Sequence, residues 1–392
     1  MIKKKILIFH PKLEPHKDFH YMPLSALSVA SALIAQGLEV KIIDDRLVSN
    51  PVDEILAYEA DRIMITVYTG YQVTRAYEVS KALKKHNPDI SITWGGPHIN
   101  ALPEQTLQSR HVDRILPGYY ECGEHRMPWE LVNPEDYINP DSKRFIYVST
   151  YSCPGVCTFC STKNKRQWIE LPIKKVQDDI DHLMKMYPYK ECVFFDATVF
   201  TRPQRVKDLS QIMMKHNLDW IADARAMEIV KSPDILDLVS TGLKQLTIGL
   251  ESGSDRIVQQ MRKGKNHLIE FEECAKIMSK HNMIMASGVI FGCPGEGPED
   301  IKETIKYIRK VKQINPNFRL STTFFMPLPD TIMADEAKKY GYTEPKTLKK
   351  WAVLGQSNHF KYNQWMNNPW IREKDEYKRI YDDFINECNY LI

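Results

Sequence analysis

The stretch Tyr151-Ser-Cys153-Pro-Gly-Val-Cys157-Thr-Phe-Cys160 decides how this chain is read. Its three cysteines are spaced C-x3-C-x2-C. A loop that short wraps three thiolates around one face of a metal cluster. Iron–sulfur clusters are held by cysteine thiolates, four in the usual full set. Three local thiolates leave one iron for a non-protein ligand, and an open metal position marks a reactive site. Zinc is the alternative occupant, but neither a second C-x2-C nor an H-x3-5-H follows downstream. Ile146–Ser149 reads as a strand before the loop, and an amphipathic helix begins from Pro172 after it.

On the C-terminal side the β/α rhythm continues through residues 145–335. Apolar runs predict strands at 145–149, 191–196, 219–223, 245–250, 284–291 and 318–325. Helical periodicity falls at 173–187, 204–216, 233–240, 254–261, 267–281 and 299–313. Six β/α units predict a partial (β/α)6 TIM-type barrel, with its chemistry at the C-terminal strand ends. Polar residues stand at those ends: Asp196, Arg225, and Glu251 with Ser252; Gly288, Ile290 and Gly292 lie on the fifth strand, with Gly295 and Glu296 after it. Arg225 or Glu251 alone reads equally well as half of a surface ion pair. Their shared position at strand ends favours a site. Residues 336–392 read as a C-terminal helical extension carrying Trp351, Tyr362, Trp365, Trp370 and Tyr377. Packing on the barrel floor is preferred for it over lining a substrate cavity.

On the N-terminal side, residues 1–125 also alternate strand and helix. Strands are expected at Lys5–Phe9, Val40–Ile43, Arg62–Val67, Ile90–Trp94 and Arg114–Leu116, and helices at Pro23–Gln36 and Val73–Lys85. This predicts an α/β fold with a doubly wound, Rossmann-like parallel sheet, whose ligands bind at strand carboxyl ends. The loops Tyr68-Thr69-Gly70-Tyr71 and Gly95-Gly96-Pro97-His98 sit there, with Gly118 beyond the fifth strand. The plain alternative is that these glycines only make turns. Residues 126–144, with prolines at 128, 134 and 140, read as a linker.

Composition agrees with several globular domains: 392 residues, 43% hydrophobic and 26% charged. A net charge of +3 is too small to argue for nucleic acid. Five of the eight cysteines, at 122, 192, 274, 293 and 388, are scattered, which suggests reduced thiols in the cytoplasm. Lys3–Lys5 followed by Ile6–Phe9 reads as a first strand rather than a signal peptide, and no apolar run is long enough for a membrane span.

With Phe159 just before its last cysteine, the C-x3-C-x2-C loop resembles the radical S-adenosylmethionine (SAM) superfamily. FFDATVF at 194–200 is similar to the F-x-D-D-x-F element, with Ala197 where a second acid is common. GLESGSDRIVQQMRKG, GVIFGCPGEG and FMPLPDT resemble further elements of that core, and Asp330 replaces a glycine in the last. PLSALSVASALIAQGLEVKIID, WGGPHINALPEQTL and GYYECGE resemble the cobalamin-binding domain that precedes many such cores. No D-x-H-x-x-G occurs, so the motif that offers cobalt a histidine is missing.

The resemblance implies a [4Fe-4S] cluster on Cys153, Cys157 and Cys160, with the open iron chelated by SAM. It implies SAM contacts from Phe159, Asp196, Arg225, Glu251, Ser252, Gly288 and Ile290. It places cobalamin on Tyr68, Thr69, Gly70 and Tyr71, with its nucleotide tail against Gly95, Gly96, Pro97, His98 and Gly118, facing the barrel. A domain that keeps this fold without the cofactor is the alternative. The implied reaction is methylation of an unactivated carbon through a 5′-deoxyadenosyl radical. Radical cyclisation, ring contraction or oxidation, as in anaerobic magnesium-protoporphyrin ester cyclase relatives, is the second enzymatic reading. A non-catalytic corrinoid- or metal-binding module is the third. The implied partners are a small-molecule or peptide substrate and a flavodoxin- or ferredoxin-type electron donor.

Overall fold

Runs rich in Ile, Leu and Val form strands when both faces of a parallel sheet are covered. Five such runs make the first sheet: β1 (Lys5–His10), β2 (Glu39–Asp44), β3 (Arg62–Thr66), β4 (Ile92–Gly95) and β5 (Arg114–Leu116). All pair in parallel, in the order β2-β1-β3-β4-β5. The strand order reverses between β1 and β3, the switch point at which doubly wound sheets bind ligands. Ile6 and Ile8 pack under Ala26, Ala30 and Leu33 of the helix Leu24–Ala35. Leu7, Phe9 and Ile65 share the opposite core with Val73, Ala76, Val79 and Leu83 of the helix Tyr71–His86. Three short helices, Pro51–Ala57, Pro97–Ala101 and Pro103–Leu107, each carry a proline in the first turn, where its missing N–H costs nothing.

The computed structural model describes residues 4–13, 21–118, 125–137, 142–161, 168–239, 242–356 and 368–388. Its chain falls into two units: 1–145 with 174–188 and 344–359, and 146–173 with 189–343 and 360–392. The two later segments join the first unit for physical reasons. In the helix Ile173–Met186, Lys175 and Asp179 form a buried pair at 2.8 Å, and they bond the His125 carbonyl and the Met127 N–H. In the helix Leu348–Gln356, Leu348, Trp351 and Ala352 fill the apolar core beside Tyr71–His86. From the sequence alone, this last helix was expected within the C-terminal extension.

The second sheet contains β6 (Arg144–Tyr147), β9 (Glu191–Phe194), β10 (Asp219–Ala224), β11 (Leu243–Ile248), β12 (Ile284–Phe291) and β13 (Phe318–Phe324). Its order is β13-β12-β11-β10-β9-β6, the partial barrel that the six β/α units predict. The short antiparallel pair β7 (Thr150–Tyr151) and β8 (Ile169–Glu170) flanks the cysteine loop. Side chains alternate along each strand. Cys192, Phe194, Trp220, Ala222, Leu246 and Ile248 are buried, while Val193, Asp223, Thr247, Gly288 and Ile290 form a half-buried inner row. The helix expected at 233–240 lies at Ile235–Val239, and a further short one, Ala226–Lys231, precedes it.

The closing helix, Lys374–Glu387, does not lie on the barrel floor. Its Tyr381 packs edge-on against Phe291 and meets Phe324, so it covers the C-terminal ends of β12 and β13. Among the described residues no helix is long and apolar enough to cross a membrane.

Candidate active site

The cysteine loop is fastened at both ends. Where the chain leaves β6, the buried Asp196 carboxylate accepts from Ser149 N at 2.9 Å, from Thr150 Oγ1 at 2.6 Å and from Thr150 N. Burial pushes Asp196 up to about 6 against the pull of these donors. Arg205 donates to the Ser149 and Leu171 carbonyls, both at 2.8 Å. At the far end Thr158 donates through N to Met261 O at 3.0 Å and through Oγ1 to Gln260 O at 2.8 Å. Met333 N donates to Thr158 O. Between these anchors Cys153, Cys157 and Cys160 are half-buried.

Gly155 makes the curl possible: its N–H points at Cys153 Sγ, 3.3 Å away, and a Cβ there would lie 3.3 Å from that sulfur. Burial pushes the Cys153 and Cys157 thiols up, while the Arg225 cation opposes this at Cys153 and Lys263 at Cys157. Among the described residues no three His, Cys, Asp or Glu side chains converge on a single metal ion. A cluster asks each thiolate only for its own iron, so a glycine-curled loop with cations beside it fits.

Next to the loop, the chain just past β11 stays paired with β12 through a parallel bridge between Glu251 and Val289. Glu251 has a left-handed backbone (φ 64°), held by Glu251 N to Gly288 O at 3.0 Å and Ile290 N to Glu251 O at 2.8 Å. Its carboxylate meets Lys263 Nζ at 3.1 Å. Burial works to lower Lys263, but Glu251 and the Cys157 thiol outweigh it and hold the ammonium charged. The sequence reading did not single out Lys263; a lysine before the helix-ending Gly264 looks like a solvated residue.

Several expected contacts are already engaged within the fold. Arg225 caps its own helix, pairing with Glu228 at 2.8 Å. Ser252 is fully buried and shares a hydrogen bond with Thr304 Oγ1 at 3.1 Å. Asp196 serves the loop backbone. Phe159 is half-buried in the loop, and Gly288 and Ile290 belong to the inner row. Asp223 on that row was also missed. It is hydrogen-bonded to Thr247, and burial pushes it up to about 7.

In the first unit, the structure brings the two expected loops together at the β3 and β4 ends. Val67 N donates to Gly95 O at 2.8 Å, His98 N to Val67 O at 3.1 Å, and Thr69 Oγ1 lies 3.0 Å from His98 Nδ1. Gly96 (φ 103°) permits this approach, since a Cβ would lie 2.9 Å from Val67 N and O. His98 is fully buried, edge-on to Trp351, and pushed down to about 4 by burial. It locks the loops from inside. Pro97 opens the helix that holds it. Gly118 N bonds Asn100 Oδ1 at 2.6 Å, and the rest of GYYECGE, residues 119–124, lies outside the described residues. Tyr68 stays 45% exposed, with Thr69, Gly70 and Tyr71 half-buried. A strand-end shelf of that kind suits a flat, amide-rimmed ring such as a corrin.

The radical SAM superfamily profile matches residues 147–308, and the B12 binding domain profile matches 17–121. The chain is a radical SAM protein with a B12-binding domain. This radical SAM protein is 25% identical to an uncharacterized methyltransferase of Pyrococcus horikoshii, over 80% of this chain and 78% of that one. It is 23% identical to the bacteriochlorophyllide d C-12(1)-methyltransferase of Chlorobaculum tepidum, over 86% and 79% of the two chains. Its fold matches the radical S-adenosylmethionine methyltransferase TsrM of Kitasatospora setae with a TM-score of 0.72 at 11% identity, over 100% and 91% of the chains. It also matches the cobalamin-dependent radical enzyme OxsB with a TM-score of 0.66 at 16% identity, over 98% and 61%.

Proposed function

We propose that this radical SAM protein is a cobalamin-dependent methyltransferase acting on an unactivated carbon of a small-molecule or peptide substrate. The observation that carries the reading is the anchored cysteine loop beside the Lys263–Glu251 pair, in a chain that also has a B12-binding domain. The methyltransferase names of the Pyrococcus and Chlorobaculum relatives support it.

When bound, the cluster and SAM supply hydrogen abstraction and cobalamin supplies a methyl group. The chain's residues position these groups. Cys153, Cys157 and Cys160 hold three irons and leave the fourth open. Glu251 accepts from the amino group or ribose of SAM, and Arg225 and Lys263 present cations to its carboxylate. Ile290 offers an apolar surface for adenine, and Gly288 keeps the inner row open, since a Cβ there would meet only Ser321 Oγ at 3.8 Å. Tyr68–Tyr71 support the corrin. A flavodoxin- or ferredoxin-type donor supplies the electron, and the scattered free cysteines suit the cytoplasm.

The test is anaerobic reconstitution with iron, sulfide and hydroxocobalamin, followed by gel filtration and incubation with methyl-deuterated SAM and a strong reductant. Retained corrinoid and 5′-deoxyadenosine are the expected result. Protein with a full cluster that yields no 5′-deoxyadenosine is not a radical SAM enzyme. Corrinoid lost on the column, with 5′-deoxyadenosine still formed, turns the reading to radical cyclisation or rearrangement.

A further inference from the structure

After β12 the chain runs Gly292-Cys293-Pro294-Gly295-Glu296, and all five residues are buried. Its bonds lead to the C-terminal segment. Tyr377, wholly buried, accepts from Gly292 N at 3.1 Å, and its hydroxyl faces the Glu296 carboxyl. Trp370 Nε1 donates to Gly292 O at 2.8 Å, and Gly295 N donates back to Trp370 O at 3.0 Å. Arg372 donates through N to Glu296 O at 3.0 Å and through Nε to Gly295 O at 2.8 Å. Glu296 Oε2 accepts from Cys293 N at 2.9 Å.

The other side of the loop leads to the cysteines. Gln260 Nε2 donates to Pro294 O at 3.0 Å, and Gln260 O accepts from Thr158 Oγ1, between Cys157 and Cys160. A continuous run of bonds therefore joins Tyr377 to the cysteine loop. Packed, hydrogen-bonded elements pass a displacement on rather than absorb it.

We propose that Tyr377 is a positioning residue for SAM: it braces the 292–296 loop from the C-terminal segment and so sets cofactor affinity at the cysteine loop. The proposal rests on reading this barrel as a SAM site. Removing the hydroxyl leaves the buried Gly292 N–H without its acceptor. A buried donor left unpaired shifts an equilibrium that depends on its loop by roughly tenfold.

Tyr377→Phe is the first variant and Arg372→Ala the second, since the Arg372 side chain is half exposed. Tyr381→Phe is the control: it lies on the same helix, with its hydroxyl 3.4 Å from Thr322 Oγ1. Each full-length protein is reconstituted with iron and sulfide, reduced, and titrated with SAM well below its melting point, following the cluster's EPR signal. The expected result is wild-type iron content throughout. SAM Kd rises about tenfold in Tyr377→Phe and several-fold in Arg372→Ala, and is unchanged in Tyr381→Phe. If Tyr377→Phe does not fold, Arg372→Ala decides. Wild-type SAM affinity in the folded variants, with only a lower Tm, overturns the proposal. So does equal weakening in Tyr381→Phe, which would mean general loosening. If cluster-loaded wild-type protein does not bind SAM, the reading of the barrel itself fails and the brace with it.

Discussion

Replacing Lys263 with Met removes the ammonium that neutralises Glu251. The charged atoms are 3.1 Å apart and the two side chains are only 12% and 16% exposed. At an effective dielectric of about 20, unit charges at that distance attract by about 5 kcal/mol. Desolvation already offsets much of this, but losing one partner strands the other, which costs about 3–5 kcal/mol for fully buried pairs. Partial exposure brings the expected loss of unfolding free energy to about 2–3 kcal/mol. Glu251 cannot swing away cheaply, because its backbone is zipped to Gly288 and Ile290 and its carboxylate folds back over Gly249. The assay is urea unfolding of the metal-free protein at pH 7.5 for Lys263→Met, Glu251→Gln and the double variant. A coupling energy above about 1 kcal/mol is expected from the cycle. Strictly additive single effects would show that the pair is a solvated contact and would remove Lys263 from the site.

Gly96→Ala combines a left-handed backbone with a Cβ 2.9 Å from two Val67 backbone atoms, so a loss of about 2–4 kcal/mol is expected. Gly70→Ala, equally left-handed but facing open space, should cost less, and equal melting points for the two would contradict the packing argument. Asp223 is pushed up to about 7 in the folded chain from an ordinary 3.8, so the folded chain carries the extra proton between those values. Stability from this group falls as pH rises through that window and stays low above it. Asp223→Asn should therefore stabilise the protein at pH 8, by on the order of 3 kcal/mol, and much less at pH 4.5, as read by chemical denaturation. Replacing Cys153, Cys157 and Cys160 together with Ala should abolish bound iron and visible absorbance after reconstitution. Cys192→Ala and Cys274→Ala should keep both, since each is a buried apolar contact.

The strands of both sheets were legible because burial on two faces demands continuous apolar runs, and Ile6–Phe9 or Val289–Phe291 admit little else. The cysteine loop was legible because its chemistry is a spacing. What the sequence hid is pairing between residues far apart in the chain. Asp196 stands at a strand end, as a cofactor ligand would, yet the fold gives its oxygens to Ser149 and Thr150. His98 follows a glycine pair at a strand end, but Thr69 and Trp351 enclose it. Trp351 stood only as one aromatic of the C-terminal extension, and nothing local said that it would settle beside Tyr71–His86. Lys263 shows the same limit from the other side. Its burial follows only once Thr158 is bonded to Gln260 and Met261, which draws the end of that helix under the cysteine loop. The residues proposed to bind cofactors were picked out by type and spacing. Those that hold them in place emerge only from the folded contacts, and in this protein Asp196, Gln260 and Tyr377 belong to that second set.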